Sequence, residues 1–206
     1  MISQAHTIRL QTEDDLPVLT ALHETAFGPG RFTRTAYRIR EGCITEPQLN
    51  LCIDGCGGEM IGAVQFTPIS IGTRQGALLL GPLVIEPRFK NKGFGLRLML
   101  DALRRGRDLG YELVILVGDL PYYARAGFTV APLGRIIMPG PVDPTRLLYA
   151  ELSPEALMCF RGEVSGIPPA AEGPAKGGAS IGLRDTKSKP VVLEQPQARQ
   201  TQQSAV

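Results

Sequence analysis

Residues 77–85, ALLLGPLVI, constrain the fold more than any other part of the chain. A run this apolar, without polar alternation, is a strand covered on both faces rather than one with a wet side. Such a strand is central in its sheet and needs a layer above and a layer below. The next segment sharpens the expectation. Glu86-Pro87-Arg88-Phe89-Lys90-Asn91-Lys92-Gly93-Phe94-Gly95 is a basic, glycine-containing connection, and beyond it apolar residues recur at helical steps to about Leu109. This helix is expected to turn Leu96, Met99, Leu100 and Leu103 inward and Arg97, Asp101, Arg104, Arg105 and Asp108 outward. It should pair Arg97 with Asp101 and stop at Gly110.

The remaining elements fit the same layering. Residues 6–10 alternate like a short strand, and Thr12 with Asp14 and Asp15 signals a helix over 13–26 with Leu16, Leu19, Leu22 and Ala26 on its apolar face. Gly28-Pro29-Gly30 breaks the chain before a second helical stretch over 31–40. Residues 49–54 and 60–67 flank the turn DGCGGE as a hairpin, and 70–71 with 77–85 flank residues 72–76 as a second. Residues 113–117 are a further buried strand, followed by PYYARAGF and a last strand candidate at 146–152. From about Gly166 the composition shifts to Gly, Pro, Ala, Ser and Gln, with Val191-Val192-Leu193 as an isolated apolar group. We therefore expect one folded domain over 1–165 and a disordered tail over 166–206, with a docking peptide around Val191 as the alternative.

Charge and composition exclude several function classes. The 206 residues carry 22 Lys and Arg against 20 Asp and Glu, and a net charge of +2 provides no basic field for nucleic acid. The longest apolar run is broken by Gly81 and Pro82 and is far shorter than the roughly 20 residues of a membrane helix. The start MISQAHTIRLQTEDD lacks the marks of a secretory signal, so a cytoplasmic location is expected. Cys43, Cys52, Cys56 and Cys159 show no C-x-x-C spacing, and His6 and His23 are distant from them in sequence, so no metal site is expected. Cys52 and Cys56 could pair, but idle thiols are the simpler reading in a reducing compartment.

The chemistry lies where the apolar strand opens into the helix. The first N–H groups of a helix have no internal acceptors, so a basic glycine turn at that point is an anion site suited to a pyrophosphate. Gly93 and Gly95 remove side chains from the approach, and Lys90 and Lys92 add positive charge. Alone, K-x-x-G-x-G is compatible with an ordinary turn carrying solvated lysines. It is not a Walker loop, which needs G-x-x-x-x-G-K-[ST], and it lacks the third glycine of the dinucleotide fingerprint.

Two motifs in order resemble the GNAT superfamily of N-acetyltransferases, in its bacterial predicted-acetyltransferase branch. The first is P-x-x-[QR]-x-x-G-x-[GA], matched by Pro87 to Gly95 with Lys90 in place of Gln or Arg. The second is Y-x-x-x-G-F, matched by Tyr123-Ala124-Arg125-Ala126-Gly127-Phe128. The resemblance covers roughly residues 6–160. It implies an α/β fold with a mixed, mostly antiparallel sheet flanked by helices and splayed between strands four and five, and acetyl-CoA as co-substrate without a metal. It implies that Leu83, Val84 and Ile85 hold the pantetheine arm, with Leu83 and Ile85 using backbone N–H groups. It further implies that Lys90, Asn91, Lys92, Gly93, Phe94, Gly95 and Leu96 hold the pyrophosphate.

Tyr123 is the implied acid for the leaving thiolate, with Tyr122 as a substitute and a half-buried packing tyrosine as the simpler reading. No general base is legible. Glu86 and Asp119 qualify only by position at strand ends, where acidic residues usually form turns, and His23 is left as structural. The acceptor is a small-molecule or protein amine, its site walled by the N-terminal helices and residues 131–152. Arg31, Arg34, Arg38 and Arg40 form a basic stretch that would suit an acidic acceptor or an acyl carrier protein, or simply a solvated helix face. The resemblance leaves three readings open: an acetyltransferase, a longer-chain acyltransferase fed by acyl-CoA or carrier protein, and a non-catalytic acyl-CoA-binding regulator. A homodimer is common in proteins of this kind.

Overall fold

The computed structural model describes residues 6–28 and 35–169. Nine strands form the sheet: β1 (Thr7–Leu10), β2 (Leu51–Asp54), β3 (Met60–Ile71), β4 (Arg74–Ile85), β5 (Leu113–Val117), β6 (Thr129–Val130), β7 (Ile136–Ile137), β8 (Leu147–Glu151) and β9 (Gly162–Gly166). The helices are α1 (Leu16–Phe27), α2 (Thr35–Arg40), α3 (Phe94–Asp108), α4 (Leu120–Tyr123) and α5 (Ala156–Cys159). Spatial order is β1-β2-β3-β4-β5-β8-β6, with β9 pairing β3 and β7. Every neighbour along that order is antiparallel except the parallel pair β4–β5. The expected mixed, mostly antiparallel sheet is therefore present.

The two expected hairpins share one long strand. β3 pairs β2 through Val64 and picks up β9 from Ile69, so Pro68 falls where neither neighbour needs its missing N–H. The second turn is tighter than the five residues expected, because Ile71 pairs with Arg74 across Gly72-Thr73 and Gly72 takes the left-handed backbone at φ 60°. The two-residue strands β6 and β7, the short α5 and β9 have no counterpart in the sequence reading. Elements this short carry no periodicity, and β9 (GEVSG) has a single apolar residue. β9 ends at Gly166, one residue beyond the boundary read from sequence; the tail from 170, Val191 included, lies outside the described residues. So do Arg31 and Arg34 of the second helical stretch.

β4 is covered on both faces, as its composition requires. Leu78 and Leu80 pack with Leu98, Met99, Ala102 and Leu103 of α3, while Ala77 and Leu79 pack with Ile39, Leu157, Phe160 and Val164 on the opposite face. Alternation should then place Leu80 and Leu83 on opposite faces, yet both belong to the α3 side. The register explains this. Val64 pairs with Leu83 and Phe66 with Leu80, so Gly81 and Pro82 together oppose one β3 residue in a β-bulge.

The buried stripe of α3 is Gly95, Leu98, Met99, Ala102, Leu103 and Gly106, whereas Leu100 is exposed and Leu96 only partly covered. The expected phase was rotated because small residues define the stripe, letting the helix approach the sheet closely, and hydropathy does not mark them. Asp101 pairs with Arg104 and Arg105 rather than with Arg97. On α1, Leu19 and Leu22 are buried against Cys52, Ala63 and Val84, while Leu16 and Ala26 face solvent. None of the four cysteines is in a disulfide, and burial pushes the Cys52 thiol up to about 12. Among the described residues no helix is long and apolar enough to cross a membrane.

Arg9 ties β1 to the start of α1. Its guanidinium donates to both carboxylate oxygens of Asp15 (2.7 and 2.9 Å) and to Asp54 (2.7 and 3.2 Å). Thr12 donates its backbone N–H and its hydroxyl to Asp15 in a capping box. The Arg9 hydrogen bonds hold the Asp15 carboxyl down at about 2. Because the folded value lies below the unfolded one, this contribution is complete above about pH 4 and is lost as pH falls toward 2. Asp15 is buried but its partner Arg9 is 36% exposed, and after allowing for solvent screening the contribution is on the order of 1 kcal/mol. Urea unfolding of Asp15→Asn should show that loss already at pH 7, with a shallower decline into acid than the parent protein.

Candidate active site

Pairing between β4 and β5 stops at Leu79 and Ile115, while β4 runs on to Ile85. The two strands therefore splay, and the bulge at Gly81-Pro82 sits where they part. Backbone direction in the open half follows from one bond: Glu86 N–H donates to the Ile61 carbonyl on β3 at 2.8 Å. Alternation along the strand then turns Val84 toward β3 and leaves the backbone groups of Leu83 and Ile85 facing the gap. The side chain of Val84 is buried on the α1 side, so among these three residues it offers the gap neither backbone nor side chain.

At the end of the gap the chain curls into α3. Asn91 and Gly93 both take left-handed backbone (φ 62° and 87°), which Asn tolerates and Gly adopts without penalty. Gly93 is the N-cap of this 15-residue helix and supplies no side-chain acceptor, so the first N–H groups of α3 point outward unsatisfied. A cavity of about 270 Å3 lies against this turn. Its wall includes Leu83, Ile85, Lys90, Asn91, Gly93, Phe94, Gly95 and Leu96, which is every residue expected on the donor side except Val84 and Lys92. The Lys92 ammonium instead stands over the Phe89 ring, 5.2 Å from its centroid. Phe89, Tyr122, Tyr123 and Arg125 complete the wall. Arg125 was missed although it lies inside the second motif; a cation two residues after a candidate acid was the available signal. A Cβ at Gly95 would strike the Tyr122 hydroxyl, the tip of a partly exposed side chain that would have to shift.

Tyr123 ends α4, and its ring stands edge-on to Tyr122 (5.0 Å) and to Phe128 (5.9 Å). The ring also lies over Gly118, where a Cβ would collide with it. Withdrawal from water, reinforced by Tyr122 and Asp119, pushes the Tyr123 phenol up to about 12, so it remains protonated at neutral pH.

Beyond Tyr123 opens a second cavity of about 520 Å3, bounded by α2, the β4 bulge and the segment before β8. Phe27, Tyr37, Arg40, Pro82, Val142 and Arg146 are on its wall, with Leu83 and Tyr123 shared between the two cavities. Its wall draws on the N-terminal helices and on residues 141–146, within the segments expected to enclose an acceptor. Neither Glu86 nor Asp119 lines it: Glu86 is paired with Arg88 and Asp119 with Arg146 at 3.2 Å. Asp143, unremarked in the sequence, does line it, but hydrogen bonds from the Thr145 N–H and hydroxyl hold its carboxyl below the usual range.

Comparison with known proteins accords with this geometry. Residues 16–128 match the profile of the acetyltransferase (GNAT) family. The chain is 29% identical over 129 residues to the uncharacterized N-acetyltransferase YhbS of Escherichia coli K12, covering 60% of this chain and 74% of that protein. It is 26% identical over 125 residues to the uncharacterized N-acetyltransferase YjhQ of the same strain, covering 59% and 68%. Among solved structures, the fold matches E. coli YhbS in complex with CoA with a TM-score of 0.68, at 24% identity over 79% of this chain and 89% of that one. It also matches a GNAT family acetyltransferase from Brucella melitensis in complex with acetyl-CoA, with a TM-score of 0.52 and 25% identity over 70% and 95% of the two chains. With the family profile spanning more than half of its length, over the splayed sheet and the glycine-capped helix, the chain belongs to the GNAT family of acetyltransferases.

Proposed function

We propose that the protein transfers an acetyl group from acetyl-CoA to a primary amine by direct attack in a ternary complex, with Tyr123 as the acid. The observation that carries this reading is the position of Tyr123 on the shared wall of both cavities, where a thioester entering from one side would meet an amine entering from the other. The outward backbone groups of Leu83 and Ile85 would take the pantetheine amides, and the start of α3 with Lys90, Asn91 and Arg125 would take the diphosphate. The amine nitrogen bonds to the thioester carbon, the C–S bond breaks, and the sulfur receives the phenolic proton.

No carboxylate on the acceptor wall, among the described residues, is placed to act as a base near neutrality, so the amine must react as the free base and release its proton to water. This predicts that kcat/KM for the amine climbs about tenfold per pH unit toward the amine's own pKa, roughly 10, with no falling limb from Tyr123 below about pH 11. Thiol release with two amines of different pKa checks it, and a rise that ignores amine pKa and plateaus near pH 7 would point to a protein base. The acetyl assignment itself is tested by incubating a primary-amine panel with acetyl-CoA. Amine-dependent thiol release with a mass gain of one acetyl group supports it; a preference for octanoyl-CoA would favour the longer-chain alternative.

A further inference from the structure

The cavity bounded by α2 and the β4 bulge has on its wall a cation with no carboxylate partner among the described residues. Arg40 is the last residue of α2, and its side chain turns inward to the β4 bulge while Arg38 stays exposed. Its Nη2 donates to the Leu80 carbonyl at 3.1 Å, and its guanidinium carbon lies 5.2 Å from the Tyr37 ring centroid. Gly81 makes room for it, since a Cβ there would come within 3.0 Å of Nη2. Nε is buried without a hydrogen-bond partner, and among the described residues no carboxylate pairs with this guanidinium.

An arginine withdrawn from water and left unpaired is costly, and it stays charged at neutral pH. Arg9, 36% exposed, receives both Asp15 and Asp54, so a less buried guanidinium of this chain has two carboxylates where Arg40 has none among the described residues. On the acceptor wall the balance is the reverse, with Arg40 and Arg146 against Asp143 alone. Arg146 is taken by Asp119, and Asp143 by Thr145. A guanidinium on a cavity wall that also carries the candidate acid, with no carboxylate partner among the described residues, suits an anion that arrives with the ligand.

We infer that the acceptor is an amine that also carries an oxyanion, a carboxylate in the first instance, and that Arg40 holds this group while the amine reaches toward Tyr123. The inference rests on the acceptor assignment proposed above. It makes Arg40 a specificity-determining residue, placed on the opposite side of Tyr123 from the diphosphate turn.

The test uses the full chain with saturating acetyl-CoA and matched amines: β-alanine, 4-aminobutyrate and glutamate against β-alaninamide and propylamine, with taurine as a sulfonate. The expected result is a preference of about tenfold or more in kcat/KM for the charged amines over their neutral partners. Arg40→Gln should erase this preference by raising KM for the charged amines, leave KM for acetyl-CoA within about twofold, and be partly rescued by Arg40→Lys. Equal use of neutral and charged amines overturns the inference, as does an Arg40→Gln variant that slows both alike, which would mark Arg40 as a brace for the bulge. If no amine in the panel is acetylated, calorimetric binding of the same amino carboxylates to the CoA-loaded protein decides. Binding that disappears in Arg40→Gln supports the inference, and absence of binding at millimolar concentration overturns it. Failure of acetyl-CoA to bind would strike the proposed function instead, and the same carboxylate titration on the free protein would still decide the role of Arg40.

Discussion

Tyr123→Phe is expected to lower kcat about 10²- to 10³-fold while leaving the Kd for acetyl-CoA within about threefold. That loss corresponds to roughly 3–4 kcal/mol of transition-state stabilisation. The ring contacts with Tyr122 and Phe128 survive the change, so the fold and the cavity wall should be unaffected. Only the hydroxyl is removed, and Tyr122 is poorly placed to replace it because it lines the smaller cavity alone. Steady-state kinetics paired with binding separates chemistry from affinity. An unchanged kcat would remove Tyr123 as the acid, and absence of turnover in the parent protein with intact acyl-CoA binding would favour the regulatory-module reading. Gly118→Ala makes a related prediction with a different cause: its Cβ must displace the Tyr123 ring, so kcat should fall although the phenol is still present.

The second large effect is expected at the diphosphate turn. Gly95→Glu should weaken acetyl-CoA binding by about 100-fold or more, since it sets a carboxylate against the diphosphate and presses its Cβ on the Tyr122 hydroxyl. Gly93→Ala isolates backbone conformation from charge. Nothing lies within 4 Å of a Cβ there, so the change costs only the left-handed φ of 87°, about 1–2 kcal/mol. Competition against the parent protein's acetyl-CoA titration, with circular dichroism to confirm folding, distinguishes the two. A Gly95→Glu protein that binds as tightly as the parent would mean the diphosphate lies elsewhere.

The cavity at the start of α3 was legible in the sequence because its determinants are local. A strand end, a basic turn and a helix start follow one another within residues 83–96, so chain order alone assembles most of the cavity wall. Val84 and Lys92 depart from it for reasons that only packing shows: strand alternation sends one toward α1, and a neighbouring aromatic ring claims the other. The acceptor side is assembled from α2, the β4 bulge and residues 141–146, which are far apart in the chain. Nothing in the arginine-rich segment 31–40 indicates that Arg40 turns inward while Arg38 remains in solvent. The burial pattern of α3 was misjudged for a related reason, because Gly95, Ala102 and Gly106 are buried for their small size and hydropathy is silent about size.

The central claim, that the gap beyond Leu79 and Ile115 is an acyl-CoA site, is tested most directly by calorimetric titration of the full chain with acetyl-, malonyl-, octanoyl- and free CoA. The account predicts saturable one-to-one binding of acetyl-CoA, lost in Gly95→Glu and retained in Tyr123→Phe. No binding to any of the four, or binding indifferent to Gly95→Glu, would contradict it.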